Sequence, residues 1–322
     1  MDVGSSHWDI DVRQQEFDPL GPTVKSSSTA NGRVLNYIDE GDPSWTTLLF
    51  FGGAGTSVRS FGLMEFARTL REQLRIRVIS VERNGLGQTT FDPDYDVHDY
   101  ANDVWDLLDF LNVANASIAA VSGGGPYAAW VARAQPKRVR SIHLACVWAQ
   151  ANGTGRTNFD LEAAAGDPVA WWEFPSRSSV RHIAGFVDST IEEATRAAFT
   201  QGANLPPAGL EQAFTLYSTT GLPNLNDVDA PAFLYWGSDD SVVPLDHLGH
   251  WTKSLACTPL VRLYHDEGHD TQYRHWDQIL TDVAYLGERI IVCHEGHGAL
   301  VPPMRAKELL DDGATLGLCA WT

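Results

Sequence analysis

The chain has 322 residues, of which 43% are hydrophobic and 20% are charged. That much apolar sequence is enough for the core of one large domain or two smaller ones, and it excludes a chain that is disordered throughout. Asp and Glu outnumber Lys and Arg by 41 to 23, a formal net charge of -18, so nucleic acid and anionic membrane surfaces are poor partners.

The apolar runs and the cysteines point to a cytoplasmic protein. Runs such as residues 116–121 are far shorter than the roughly 20 residues of a membrane span, and residues 1–17 lack the features of a secretory signal. The four cysteines are Cys146, Cys257, Cys293 and Cys319. Their spacing fits neither a disulfide scaffold nor a zinc site, so we expect them to be reduced and expect no bound metal.

The first half of the chain alternates strand and helix patterns. Short aliphatic or β-branched runs predict strands at residues 33–39, 47–51, 77–81, 117–121 and 139–146. Several runs are apolar on both faces, which is typical of a parallel sheet covered on two sides, and helical patterns lie at 101–111 and 126–135. The alternation predicts a doubly wound, mostly parallel α/β sheet.

The pattern changes after Trp148. Residues 149–227 have helical windows and no convincing strand, and the strand rhythm then resumes at 232–236 and 260–264, before a helix at 272–285. The domain prediction is a core of residues 1–148 and 228–289, a helical cap of 149–227 and a C-terminal appendix of 290–322.

A candidate nucleophile, Ser122, lies in the run Ala-Val-Ser-Gly-Gly-Gly-Pro at 120–126. A serine on a sharp strand-to-helix turn needs small residues two positions to either side, and Ala120 and Gly124 meet that need. The structural alternative is a tight glycine-rich connection or a phosphate cradle, but no lysine follows as in a P-loop, and the GxGxxG pattern is not matched.

A serine nucleophile requires a base. His269 follows a predicted strand and stands on a loop, from which it could reach the carboxyl edge of a parallel sheet. His265 and His275 fall in a strand end and a helix, so we interpret them as structural.

The base in turn requires an orienting acid. Residues 123–159 contain no Asp or Glu, so the acid is expected after the following strand, where Asp239 and Asp240 are adjacent. One of the two is expected to be catalytic and the other a turn residue.

Donors for a developing oxyanion are expected from the Gly123 amide and from the glycine-rich loop after residue 51, with Gly53 preferred over Gly52.

The order Ser122, Asp240, His269 on alternating α/β elements resembles the α/β-hydrolase superfamily over about residues 23–287. In that family a Gly-x-x-Asp pattern before Val-Pro carries the acid, which selects Asp240. The family's usual His-Gly at the oxyanion loop is replaced here by Phe51-Gly52. The resemblance implies that 149–227 is the cap above the site and that no cofactor is needed.

The Glu-Gly-His tripeptide occurs twice, at 267–269 and 295–297, so His297 in the appendix is the rival base. The interval from Asp240 to His269 suits one strand and one loop. The helix after His269 is the one that the family usually places last. Both points favour His269.

The sharp turn at residues 120–126 is called the elbow below. Its serine argues against the dehalogenases and epoxide hydrolases of this fold, which use a carboxylate at that position. The resemblance implies hydrolysis of a carboxylic ester or lactone through an acyl-enzyme. The alternatives are proline-iminopeptidase-like activity, thioesterase activity and a non-catalytic receptor on a hydrolase frame.

A small-molecule ester or lactone is the expected partner, and the oligomeric state is left open, with a homodimer among the options. Trp148, Trp171 and Trp172 are expected to contact a bulky aromatic substrate. The elbow, cap and tail together resemble bacterial zearalenone-type lactonases, which implies an aromatic macrolactone.

Overall fold

The computed structural model describes residues 9–14, 22–29, 32–149 and 208–319. In chain order, the strands within these ranges are β1 (Ile10–Asp11), β2 (Lys25–Ser28), β3 (Val34–Glu40), β4 (Thr46–Phe51), β5 (Ile76–Val81), β6 (Ala116–Val121), β7 (Val139–Ala145), β8 (Ala232–Gly237), β9 (Leu260–Tyr264), β10 (Ile290–His294), β11 (His297–Val301) and β12 (Thr315–Leu316). The helices are α1 (Arg68–Gln73), α2 (Val97–Phe110), α3 (Gly125–Ala134), α4 (Ala208–Thr215), α5 (Leu245–Ser254), α6 (Thr271–Arg274), α7 (Trp276–Tyr285) and α8 (Pro303–Asp311).

Eight strands form the main sheet, in the order β2-β3-β5-β4-β6-β7-β8-β9. The pairs from β5 to β9 are parallel, and β2 and β3 join one edge antiparallel. Every residue of β5, β6 and β8 is buried, as expected for strands covered on both faces. The predicted doubly wound, mostly parallel α/β sheet is confirmed.

Two apolar clusters cover opposite faces of this sheet. Side chains alternate along β4, so Leu49 and Phe51 join the cluster under α2 and α3, while Leu48 and Phe50 join the cluster under α7. Helix α2 begins at an Asp96 capping box, in which the side chain accepts the N–H groups that the first turn leaves free. The sheet is therefore held from both sides, and its strand ends have fixed positions.

The predicted helical insertion lies only partly within the described residues. One of its predicted helical segments, residues 210–217, coincides with α4 and with the π-helical turn Leu216–Thr220 that continues it. Residues 150–207, including Trp171 and Trp172, lie outside the described ranges, so the boundaries of the cap stay a prediction.

The C-terminal residues form a second, antiparallel sheet in the order β1-β11-β10-β12. Ile291, Leu300 and Leu318 of this tail belong to the same apolar cluster as the core helix α7. Polar bonds add to the contact, because the buried Asp277 carboxylate accepts the N–H of Leu318. The tail thus packs directly against the core.

A disulfide joins Cys293 to Cys319, so the prediction that all four cysteines are reduced is wrong for this pair. The physical reason is that the last described residues fold back along β10: β12 pairs with Val292 and Cys293, Gly317 donates its N–H to the Ile291 carbonyl, and the Cα atom of Cys319 lies 5.1 Å from that of Cys293. Cys146 and Cys257 are free thiols. Within the described ranges, no helix combines the length and apolar character that a membrane crossing requires.

Acid should destabilise the fold through His143, which is fully buried in β7 between Ser141 and Tyr235. Burial, followed by the charges of Arg140 and Arg262, lowers its pKa from 6.5 to about 3. Below pH 6.5 the His143 imidazole is therefore protonated in the unfolded chain but stays neutral in the folded chain. The free energy of unfolding falls as the pH drops from 6.5 towards 3, by up to about 1.4 kcal/mol per pH unit.

We predict that His143→Gln, which keeps hydrogen-bonding capacity but cannot titrate, loses less stability in acid. Between about pH 7 and pH 4.5, the free energy of unfolding in urea should fall by about 2 to 3 kcal/mol more for the wild type than for the variant. If the free energy of unfolding fell equally with pH in the two proteins, His143 would not be the cause of the loss of stability in acid.

Candidate active site

The predicted elbow forms where β6 ends. Ser122 has a φ of 48°, a left-handed backbone conformation that costs energy for a residue with a side chain, and α3 begins three residues later. A Cβ atom on Gly124 would lie 2.3 Å from the carbonyl oxygen of Phe51 and 2.8 Å from that of Gly52. The elbow thus lies against the end of β4 so closely that only glycine fits.

The structure brings the three predicted triad residues together. His269, on the loop after β9, has its Nε2 atom 3.0 Å from the Ser122 hydroxyl, and its Nδ1 atom 2.9 Å from a carboxylate oxygen of Asp240. Ser122 and Asp240 are buried, and the His269 side chain is 15% exposed. The arrangement is a continuous hydrogen-bonded chain from a buried carboxylate to a hydroxyl.

The two adjacent carboxylates after β8 have different environments. Asp239 is exposed and accepts a hydrogen bond from the Ser238 hydroxyl, whereas the other oxygen of Asp240 accepts the N–H groups of Val242 and Val243 at 2.9 and 2.8 Å. Burial acts to raise the pKa of Asp240, but His269 and the backbone donor outweigh burial, so this pKa lies below its ordinary value. Asp240 is therefore held ionised beside the imidazole.

Sequence reasoning missed Cys146, which directly follows β7 and lies beside Asp240 and His269. Its sulfur, an Asp240 oxygen and a His269 nitrogen all lie within 4.8 Å of one another, an arrangement that could suit a metal ion. Burial and the Asp240 charge raise the pKa of the Cys146 thiol well above its ordinary value, which disfavours the thiolate that a metal needs. The group is better suited to a hydrogen-bonded network.

The loop after β4 is fixed by Arg83, which lies two residues after the end of β5. The buried Arg83 guanidinium donates to the Gly53 carbonyl at 2.6 Å and to the Thr56 carbonyl at 2.8 Å. Because the C=O and N–H of a trans peptide point in opposite directions, the amide of Ala54 points away from Arg83. A Cβ on Gly123 would lie 2.7 Å from that nitrogen. The Ala54 amide thus lies beside the elbow, and the predicted role of the Gly53 amide stays a prediction.

The loop that carries His269 is anchored on both sides. His275 contacts the Glu267 carboxylate at 2.9 and 3.0 Å, and Thr271 donates to the Gly268 carbonyl. A Cβ on Gly237 would lie 2.2 Å from the Glu267 carbonyl oxygen, so the end of β8 and this loop are in direct contact.

The remaining predicted residues have distinct locations. Trp148 lies directly beside the elbow, where its backbone N–H donates to the Ser122 carbonyl at 3.1 Å, and its ring stacks on Tyr217. His297 is exposed in β11, opposite His294 in the second sheet. Trp171 and Trp172 lie outside the described ranges.

We predict that Gly124→Ala disturbs the elbow because its methyl group would overlap two backbone carbonyls. Overpacking of this kind costs about 1 to 3 kcal/mol. Gly249→Ala is the matched control, since Gly249 lies in α5 with nothing within 4 Å of the added atom. Urea unfolding should show a loss for the first variant and none for the second; equal stabilities would show that the contact at 124 is not tight.

The comparisons with known proteins agree with this geometry. The family model described as "alpha/beta hydrolase fold" matches residues 46–278. A candidate carbamate hydrolase, RutD, from Azorhizobium caulinodans is 29% identical over 208 residues, which is 60% of this chain and 76% of that protein.

Solved structures show the same fold at low sequence identity. A hydrolase from Pseudomonas aeruginosa has a TM-score of 0.63 at 21% identity and covers 82% of this chain and 98% of its own. A carboxylesterase structure from the thaumarchaeon Nitrososphaera gargenis has a TM-score of 0.63 at 20% identity, covering 81% and 98%. With the family model matching well over half of its residues, this chain belongs to the α/β-hydrolase fold family.

Proposed function

We propose that the protein is a serine hydrolase that cleaves a carboxylic ester or lactone through an acyl-enzyme. The observation that carries the proposal is the hydrogen-bonded chain from Asp240 through His269 to Ser122, with contacts of 2.9 and 3.0 Å. A base must lie within hydrogen-bond reach of the proton that it removes, and His269 meets this condition.

In the first half of the reaction, the Ser122 oxygen forms a bond to the substrate carbonyl carbon while its proton passes to His269. Asp240 keeps the imidazole in the tautomer that accepts this proton and stabilises the cation that results. The electron pair displaced onto the carbonyl oxygen is stabilised by backbone amides, for which Gly123 and Gly53 are the predicted donors and Ala54 is a further candidate.

Collapse of this intermediate breaks the bond to the alcohol, which takes the proton from His269 as it leaves. Water then attacks the acyl group on Ser122, again with His269 as the base, and releases the carboxylic acid. Each step uses side chains, backbone amides and water, so the mechanism calls for no cofactor.

We further propose a neutral, bulky substrate that bears an aromatic ring, with a macrolactone such as zearalenone as the compound to test. Trp148 and Tyr217 form a stacked aromatic pair beside the elbow, and Trp171 and Trp172, which lie outside the described residues, are the further aromatic contacts that we predict for the substrate. The net charge of -18 favours release of a carboxylate product. The name of the Azorhizobium relative makes a carbamate the second candidate substrate, since the same nucleophile can attack its carbonyl group.

The predicted cytoplasmic location does not enter the proposal. Disulfides such as Cys293–Cys319 persist mainly in oxidising compartments, so this bond favours a location outside the reducing cytosol.

If Ser122, His269 and Asp240 form the catalytic triad, a single substitution at any of them should cause a large loss of hydrolytic activity. Ser122→Ala should lower hydrolysis of p-nitrophenyl butyrate by roughly 10⁴ to 10⁶ and should abolish labelling by an alkyl phosphonate. Asp240→Asn should cost on the order of 10⁴, because the amide stabilises the wrong imidazole tautomer, and His269→Ala should abolish acylation.

Matched controls accompany two of these variants. Asp239→Asn and His297→Ala change the neighbouring carboxylate and the second Glu-Gly-His histidine, and both should keep turnover within about threefold of the wild type. A Ser122→Ala protein within about tenfold of the wild type would refute the proposed function, and an inactive His297 variant with a normal His269 variant would move the base to the tail.

The substrate prediction is tested by comparing kcat/KM for p-nitrophenyl acetate, zearalenone, an aryl carbamate, an aminoacyl arylamide and an acyl thioester. Zearalenone should be preferred, and Trp171→Ala or Trp172→Ala should lower its kcat/KM by about two- to tenfold more than that of the acetate, at about 0.5 to 1.5 kcal/mol per aromatic contact. A preference for the carbamate, arylamide or thioester would reject the lactone. Equal losses on both esters would assign the two tryptophans to packing.

A further inference from the structure

Tyr217 carries a hydroxyl group that the triad mechanism does not use. The residue is 2% exposed and lies in the π-helical turn Leu216–Thr220. Within the part of the chain that the structure describes, its hydroxyl has no partner with hydrogen-bond geometry, although the Arg83 guanidinium lies near enough to interact with it. Burying a hydroxyl group without a partner costs free energy, so the position calls for an explanation. π-Helical turns are frequent at functional sites.

The hydroxyl lies at the elbow. A Cβ atom added to Gly123 would come within 2.7 Å of the Tyr217 oxygen and within 2.7 Å of the Ala54 nitrogen. An O–H donor and a backbone N–H donor therefore lie beside the residue that directly follows Ser122. This is the region where an attacked carbonyl group would develop negative charge.

The ring is held in place from several directions. Trp148 stacks on it at 6.0 Å between ring centroids, and Phe214 and Tyr127 contact it edge-on at 5.5 and 6.4 Å. A donor fixed in this way needs little reorganisation when charge develops, which is the condition for effective electrostatic stabilisation.

We propose that Tyr217 donates a third hydrogen bond to the oxyanion, alongside two backbone amides. The assignment rests on the proposed function. As the bond from the Ser122 oxygen to the carbonyl carbon forms, the carbonyl electron pair moves to oxygen and the Tyr217 O–H shares its hydrogen with that oxygen without giving up the proton. The proton of Ser122 goes to His269.

The Tyr217 phenol is suited to the role of hydrogen-bond donor. Burial, followed by the neighbouring Tyr127, raises the pKa of Tyr217 above its ordinary value, and the Arg83 guanidinium offsets only part of this increase. The hydroxyl therefore stays protonated wherever the triad works and remains a donor.

The test compares Tyr217→Phe with Tyr285→Phe, which removes a phenolic hydroxyl at the C-terminal end of α7 instead. With p-nitrophenyl butyrate, kcat of the Tyr217 variant should fall about tenfold to a hundredfold with KM within about threefold, and Tyr285→Phe should match the wild type. The inhibition constant of 2-phenylethylboronic acid, which forms a tetrahedral adduct with serine, should rise by a similar factor for Tyr217→Phe only.

Thermal unfolding separates this role from a structural one. Because the hydroxyl is buried without a well-formed hydrogen bond to any described residue, Tyr217→Phe should unfold at the same or a higher temperature than the wild type, whereas loss of a structural hydrogen bond would lower that temperature. Unchanged kcat and boronate inhibition, a change in KM alone, or equal losses in both variants would overturn the assignment. Failure of the proposed function is seen separately, as a wild-type protein with no turnover and no phosphonate labelling.

Discussion

The contact between Ser122 and His269 joins residues that are 147 positions apart in the sequence. It forms because β6 and β9 belong to one parallel arrangement, in which every strand ends at the same edge. Asp240 reaches the same place from the end of β8, which lies between β7 and β9. The position of each polar group at the site therefore depends on strand register, and register depends on the two apolar clusters that cover the sheet.

The features that sequence reasoning could predict were those with a local signal. Apolar runs bounded by turns located the buried strands, and small residues around Ser122 marked the elbow. The difference between Asp239 and Asp240 had a signal as well, in the Val-Pro that follows, and the structure places one carboxylate in solvent and the other against His269.

Other features depend on contacts between distant segments, which no local pattern records. Nothing near Arg83 indicates that its guanidinium would hold the Gly53 carbonyl 30 residues away and so turn the Ala54 amide. The Cys293–Cys319 pairing depends on how the chain after β12 packs against β10, and a two-residue strand has too little sequence for a periodicity. Tyr217 is one aromatic residue in a helical segment, and only the three-dimensional structure shows that its hydroxyl is buried without a hydrogen-bond partner among the described residues.

The second sheet joins segments that are far apart in the sequence, because Ile10 of β1 pairs with Leu300 of β11. During synthesis on the ribosome, β1 emerges before β11 and must stay unpaired until β11 has been made. Contacts between such distant segments are slow to form, since a very long loop has to close first. We therefore expect the eight-stranded main sheet to assemble before the second sheet. The pairing of β1 with β11 and the formation of the Cys293–Cys319 disulfide should be among the last events of folding.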